Sequence, residues 1–318
     1  MKRWITLAAA VLAAPALVAG GAGAAVAAPR QDAAAVLTPG AALKRQLAGK
    51  GSVTIDHRRA TFHRDEDRED SAYITKGVLG FDKGKVRSVD LTSRLAVSPE
   101  FREMLAEENT GLLSLLTPRQ VIVVNGTRYV YDEQLAKYLP KLKMWLSAPN
   151  GDPLWPTDAL EVVDVLDPIT LDGVMRLGGK KSPGAVFENG TRTTLYRVKT
   201  TVGALSKISP PLLENLRQTG QATPRVLRRP ATVKVWLGPD QLPRRSQVSV
   251  AEEEESTKTT TAYTRWGGPA TVTAPDPSLV VRRDEITLPE HLSSPFSLLV
   301  DPPLDSDPPR KADLQRIP

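Results

Sequence analysis

Three histidines, no cysteine and one short run of carboxylates are what this chain offers for chemistry. His57 and His63 fall on the same face of a predicted strand. Six residues at about 3.3 Å each hold them about 20 Å apart, too far to share a metal ion. His57 therefore reads as a partly exposed strand histidine, and His291 sits among prolines. The run from Asp65 to Asp70 has the hard oxygen ligands calcium prefers, but it lacks the spaced Asp-x-Asp-x-Asp-Gly pattern with a distal Glu. Arg68 also interrupts it, so a solvated loop is expected. Any two carboxylates can meet in space for glycoside hydrolysis, and nothing in the order of residues singles out a pair.

The chain contains no His-Glu-x-x-His, Gly-x-Ser-x-Gly, Walker or dinucleotide-binding motif. Gly178-Gly179-Lys180-Lys181 follows no recognisable strand and reads as a turn rather than a phosphate loop. Asn125-Gly126-Thr127 and Asn189-Gly190-Thr191 fit a glycosylation pattern, but each is explained by the turn it makes. The expectation is a protein without catalytic residues, cofactor or metal. An enzyme built on an unrecognised carboxylate pair is a minor alternative.

Apolar and aromatic side chains remain, and they concentrate on predicted strands. Asn125-Gly126 joins Val121–Val124 to Thr127–Tyr131, and Asn-Gly between β-branched runs is a strong signal for a type I′ hairpin. The turn sets the register: Val124 faces Thr127, Val123 faces Arg128, Ile122 faces Tyr129 and Val121 faces Val130. Ile122, Val124, Tyr129 and Tyr131 then share one side, and Val121, Val123 and Val130 the other. Both sides are apolar, so both need cover, from helices, another sheet or a ligand. Parity leaves open which side faces a cavity. Each fully buried Tyr, Trp or Ile contributes about 1.5 to 3 kcal/mol.

The surrounding elements follow from turn and cap chemistry. Thr38-Pro39 opens a helix with Leu43 and Leu47 one turn apart. Strands are expected over Val53–Phe62, Ala72–Phe81 and Val86–Leu95, the last two joined by Asp82-Lys83-Gly84-Lys85. Ser98-Pro99 opens a helix carrying Phe101 to Leu116, and a helical piece from Asp158 to Leu166 should stop at Asp167-Pro168. The second Asn-Gly hairpin places Phe187, Tyr196 and Val198 on one side. Ser209-Pro210 opens a helix with Leu212, Leu213 and Leu216 that ends at Gly220. Strands Thr232–Leu237, Arg245–Ala251, Thr257–Trp266 and Ala270–Thr273 complete the body.

The ends and the charge bound the setting. Lys2 and Arg3, an apolar run to Val18 and Ala25-Val26-Ala27 form a signal peptide, with cleavage before Ala28. The domain layout is thus 1–27 leader, 28–285 body and 286–318 proline-rich tail. No other run approaches the length of a spanning helix. Without cysteine there is no disulfide and no lipid anchor on an N-terminal cysteine. The whole chain carries +6, and losing Lys2 and Arg3 with the leader leaves +4. That excess sits at predicted turns and reads first as solvated loop charge. The functional alternative is attraction to anionic membrane headgroups or cell-wall polymers. Export makes nucleic acid an unsuitable partner.

Several local runs resemble the actinobacterial LppX/LprAFG lipoproteins, which share the fold of the lipoprotein carrier LolA. They are Gly77 to Gly84, Val121 to Tyr131 followed by Tyr138 to Trp145, Val233 to Leu237 with Leu242 to Arg245, and Tyr263 to Gly267 followed by Val272 to Pro275. The resemblance spans about Leu37 to Val281. It implies an α+β, mainly β fold: a strongly curved antiparallel half-barrel with helices on its concave side and an apolar cavity between them. It implies a secreted, monomeric, non-enzymatic carrier of a lipid, lipoglycan or acylated protein in the cell envelope. The same fold used as an extracytoplasmic regulator of an anti-sigma factor is the alternative. The residues expected to line the ligand cavity are Ile122, Val124, Tyr129, Tyr131, Tyr196, Val198 and Trp236. The family's lipobox cysteine is missing here, and the proline-rich tail has no counterpart in the family.

Overall fold

The computed structural model describes residues 37–63, 69–99, 102–103, 116–149, 163–187, 190–218, 220–251, 255–269 and 271–287. The expected leader, most of the helix over Phe101–Leu116, the start of the piece from Asp158 and the proline-rich tail lie outside these residues. The described residues from Leu37 onward form one compact unit. Its twelve strands are β1 (Gly51–His63), β2 (Glu69–Asp82), β3 (Lys85–Val97), β4 (Arg119–Val124), β5 (Thr127–Asp132), β6 (Trp145–Pro149), β7 (Lys180–Val186), β8 (Arg192–Thr201), β9 (Pro230–Leu237), β10 (Pro243–Ala251), β11 (Glu255–Gly268) and β12 (Val280–Arg282). All lie in one sheet, in the order β12-β6-β5-β4-β3-β2-β1-β11-β10-β9-β8-β7.

Neighbours pair antiparallel, except that β12 joins β6 in parallel. The mainly β antiparallel class expected from the sequence is the one found. Register shifts at Ser52/Thr54, Thr61/Phe62, Gly80/Phe81, Pro243/Arg245 and Pro183/Val186 are bulges that bend the strands carrying them.

The first Asn-Gly hairpin has the expected register, Val124 against Thr127 through Val121 against Val130. Asn125 and Gly126 have φ of 53° and 74°, the left-handed pair a type I′ turn needs. The helices settle its two-sided apolarity. α1 (Pro39–Ala48) precedes β1, α2 (Glu133–Ala136) follows β5, α3 (Pro168–Arg176) precedes β7, and α4 (Val202–Ser206), α5 (Pro210–Gln218) and α6 (Pro224–Leu227) lie in succession between β8 and β9. Leu43, Leu171, Val174, Leu205, Leu212 and Leu216 from the helices join Val53, Leu79, Val89, Val121, Val123, Val130 and Val233 from the sheet in one buried cluster. That side is called the inner face below.

α1 starts where Thr38 and Pro39 predict, the Thr38 hydroxyl accepting from the Ala41 N–H at 3.1 Å. It is seated on α3 by Gly40, whose N–H donates to Asp172 Oδ1 at 2.8 Å. A Cβ at Gly40 would overlap the Asp172 carboxylate, so only glycine allows this approach. α3 itself corrects an expectation. Asp167-Pro168 does not end a helix but begins one, with Asp167 accepting from the N–H groups of Ile169 and Thr170 and Pro168 in the first turn. Asp is a strong N-cap and Pro is favoured at the first helical position, and both preferences outweigh proline's role as a stop. Val163–Leu166 is not helical.

Two further expectations change. Residues 271–273 form no strand, and the last strand is Val280–Arg282 at the far edge. Phe187 does not share a side with Tyr196 and Val198. Its ring lies against Arg245 on the other face, 5.3 Å from centroid to guanidinium carbon, because Phe187 pairs with Thr191, its N–H donating to the Thr191 carbonyl at 3.1 Å, and not with Arg192 as a two-residue turn would require.

Candidate functional site

Following the register strand by strand puts one polar residue from each of seven neighbouring strands at the same level of the inner face. Ser246 on β10 faces Thr261 on β11, which faces His57 on β1, then Thr75 on β2, Ser93 on β3, Arg119 on β4 and Asp132 on β5. On the other side the same level continues through Val235 to Tyr196. Burial of a polar side chain is costly unless it is hydrogen-bonded. The Thr75 and Ser93 hydroxyls pair at 2.8 Å, Ser246 Oγ lies 3.2 Å from the Tyr263 hydroxyl, and Arg119 forms an ion pair with Asp132.

His57 holds the centre. It is 1% exposed, not the partly exposed strand histidine expected. Its Nδ1 lies 2.9 Å from Thr261 Oγ1, while its Nε2 has no hydrogen-bond partner among the described residues. Burial, and secondarily the positive charge of Arg59, lower its pKa from 6.5 to about 3, so the ring is neutral near pH 7. Thr259, one level along β11, also has a buried hydroxyl without a partner among the described residues.

The row divides the inner face. Toward α1 the levels are apolar, with Ile55, Leu91, Val121, Val130 and Leu146 on one and Val53, Leu79, Val89 and Val123 on the next. Leu43 and Leu47 belong to the same cluster. On the far side the next level runs Val198, Val233, Val248, Thr259, Arg59, Tyr73 and Leu95. Here Tyr73, Leu95 and Tyr196 are only half-buried. The unpaired Nε2 and hydroxyl thus lie at and just beyond the boundary, on the levels of the inner face that also carry these half-buried side chains.

The seven residues expected to line a cavity do not share one side. Tyr196 and Val198 are on the inner face, Val198 being fully buried. Ile122, Val124, Tyr129, Tyr131 and Trp236 point outward by register. On that outer side Ile122 is buried yet outside the core cluster, and the Tyr131 ring packs tilted at 46° against Trp145 with centroids 5.6 Å apart. The inward set of the hairpin is Val121, Val123 and Val130. The polar row was missed because its members come from seven separate segments. The period-2 threonines Thr257, Thr259 and Thr261 were the visible trace, but Thr260 and Thr264 on the other parity mask it.

The arrangement has limited chemistry. A histidine with a pKa of about 3 is too weak a base to activate Thr261 at neutral pH. No group of three metal-ligating side chains occurs among the described residues. Gly178, with φ of 79°, follows the last turn of α3 and serves as the left-handed glycine after a helix rather than a phosphate cradle. What the row can do is donate and accept hydrogen bonds inside an apolar surround.

The chain is similar to lipoprotein LppX of Mycobacterium tuberculosis. The solved structure shares 15% identity at a TM-score of 0.35, over 73% of this chain and 97% of that one. Similar too are the hypothetical protein CT021 from Chlamydia trachomatis (7%, TM-score 0.26, 76% and 98% covered) and the LolA superfamily protein NE2245 from Nitrosomonas europaea (7%, TM-score 0.21, 73% and 96% covered). No protein-family model and no curated protein matches the chain. At these scores the likenesses carry no functional argument, and function rests on the geometry above.

Proposed function

We propose that the protein is a secreted, non-enzymatic binder or carrier of an amphiphile, a lipid, lipoglycan or acylated protein, held on the inner face of the sheet. The observation that supports this reading is the pair of buried polar atoms without a partner among the described residues, His57 Nε2 and Thr259 Oγ1, on the same two levels of the inner face as the half-buried Tyr73, Leu95 and Tyr196. A buried donor or acceptor without a partner costs about 1 to 3 kcal/mol, and a ligand's ester or hydroxyl offsets that cost when it supplies the partner. The acyl chain then lies against the half-buried Tyr73, Leu95 and Tyr196, which the buried Val198, Val233 and Val248 of the same zone support from within the core. The neutral imidazole suits a neutral polar group rather than a carboxylate.

No helix among the described residues is long and apolar enough to cross a membrane. A soluble carrier that exchanges its cargo with a membrane or wall is in keeping with that. The test is native mass spectrometry with lipid extraction of the purified protein, together with titration of a fluorescent fatty acid. Bound amphiphile, and weaker probe binding by His57→Gln at a temperature where thermal melting shows the variant to be fully folded, are expected. Absence of both bound lipid and probe binding would remove the carrier reading.

A further inference from the structure

We infer that the outer face of β7 to β11 docks on an anionic lipid surface. The register places Lys180, Arg197 and Lys234 side by side on β7, β8 and β9. One level along, Lys199 and Lys258 lie on the same side, and on the opposite level Arg245 faces Trp236. Strands lie about 4.8 Å apart and same-face residues about 7 Å apart along each strand, so these cations form a two-dimensional array. Lys180, Arg197, Lys199 and Lys258 are exposed, while Lys234 and Arg245 are half-buried. None of the described outward-facing residues of these five strands is Asp or Glu. Asp56, on the neighbouring β1, is already paired with Lys76 at 2.7 Å. The crowding is felt by Lys234, whose pKa is lowered by burial and then by Arg197 and Lys258. Anions brought to this face relieve that repulsion.

The aromatic residues of the same region favour a lipid interface over a nucleic acid. Arg245 lies over both Phe187 and Trp236, at 5.3 and 5.9 Å from the ring centroids, and Lys258 lies 5.9 Å over Phe62. These rings are covered by cations instead of being open for base stacking. Basic side chains spread over a sheet and interleaved with Trp and Phe have the composition of a headgroup-level contact. Docking here is separate from cargo binding, which the carrier reading assigns to the opposite face.

The full chain is tested by co-sedimentation with vesicles of phosphatidylcholine, with and without abundant phosphatidylglycerol. Expected is binding to the phosphatidylglycerol vesicles alone, lost at high salt. Arg197→Gln and Lys199→Gln should each weaken it about fivefold, whereas Lys44→Gln on α1 should leave it unchanged. All three positions are exposed, so the fold, read by thermal melting, stays the same. Equal binding to pure phosphatidylcholine, or equal loss with Lys44→Gln, would overturn the proposal. So would binding of an oligonucleotide or acidic polymer in the absence of vesicle binding. Because the lipid co-purifying with the protein is measured on the same Arg197→Gln sample, failure of docking and failure of cargo binding are read separately.

Discussion

Thr261 Oγ1 lies 2.9 Å from His57 Nδ1 across the β1–β11 pair, and both residues are buried in the middle of the sheet. The contact occupies one ring nitrogen and leaves the other free of protein partners among the described residues. A neutral imidazole satisfies this geometry, and a charged one would be buried next to Arg59. Protonation and folding are therefore linked.

The sign follows from the depressed pKa. The unfolded chain takes up a proton at His57 near pH 6.5, whereas the folded chain resists until about pH 3. Between these values the unfolded state binds more protons, so stability falls as pH is lowered, by about 1.4 kcal/mol per pH unit from this group. Denaturant unfolding of the protein and of His57→Gln from pH 7 to pH 5 should show this extra slope in the parent alone. Parallel slopes would contradict the assignment.

The Thr75–Ser93 pair makes a second prediction. Thr75→Val leaves the buried Ser93 hydroxyl without its 2.8 Å partner and should cost about 1 to 3 kcal/mol. Adding Ser93→Ala removes the orphan, and the double variant should be no less stable than the single one. A double-mutant cycle by denaturant titration reads the coupling.

Gly77, with φ of 156°, faces inward in the row of Ile55 and Leu91. A Cβ there would overlap the Asp90 carbonyl on the neighbouring strand. Gly77→Ala must push β2 and β3 apart at the centre of the sheet, and a loss of about 3 kcal/mol or more is expected. A drop of several degrees in the melting temperature checks it.

Asp167→Ala should cost about 1 kcal/mol, the worth of an N-cap. Loss of hydrogen-exchange protection at Ile169 and Thr170, whose N–H groups the carboxylate accepts, would localise the effect to the start of α3. An unchanged exchange pattern there would mean that Pro168 alone holds the helix start.

What could be read from the sequence was local. Asn125-Gly126 carried its own turn geometry and so its own register, and Thr38-Pro39 carried its own cap. Asp167-Pro168 was legible but ambiguous, since proline both ends and begins helices and the deciding partners are the N–H groups downstream. The polar row was not legible: Ser246, Thr261, His57, Thr75 and Ser93 become neighbours only through pairings between distant segments, and no single strand betrays the level at which they meet. The same limit applied to Ile122 and Tyr129 against Val121 and Val130. Their separation onto two sides followed from the turn, but which side meets helices depended on the rest of the chain.

An open sheet also has two ends, and each end here is blunted. At one, β7 carries Pro183, which has no N–H to offer a further strand, and the exposed Lys180 and Lys181. At the other, β12 is only three residues long and is bracketed by 3₁₀ turns. Neither presents the long, flat, apolar ladder that recruits another chain into a growing stack. A molecule that keeps so many strands in one layer is thereby protected from self-templated fibre growth, without closing into a barrel.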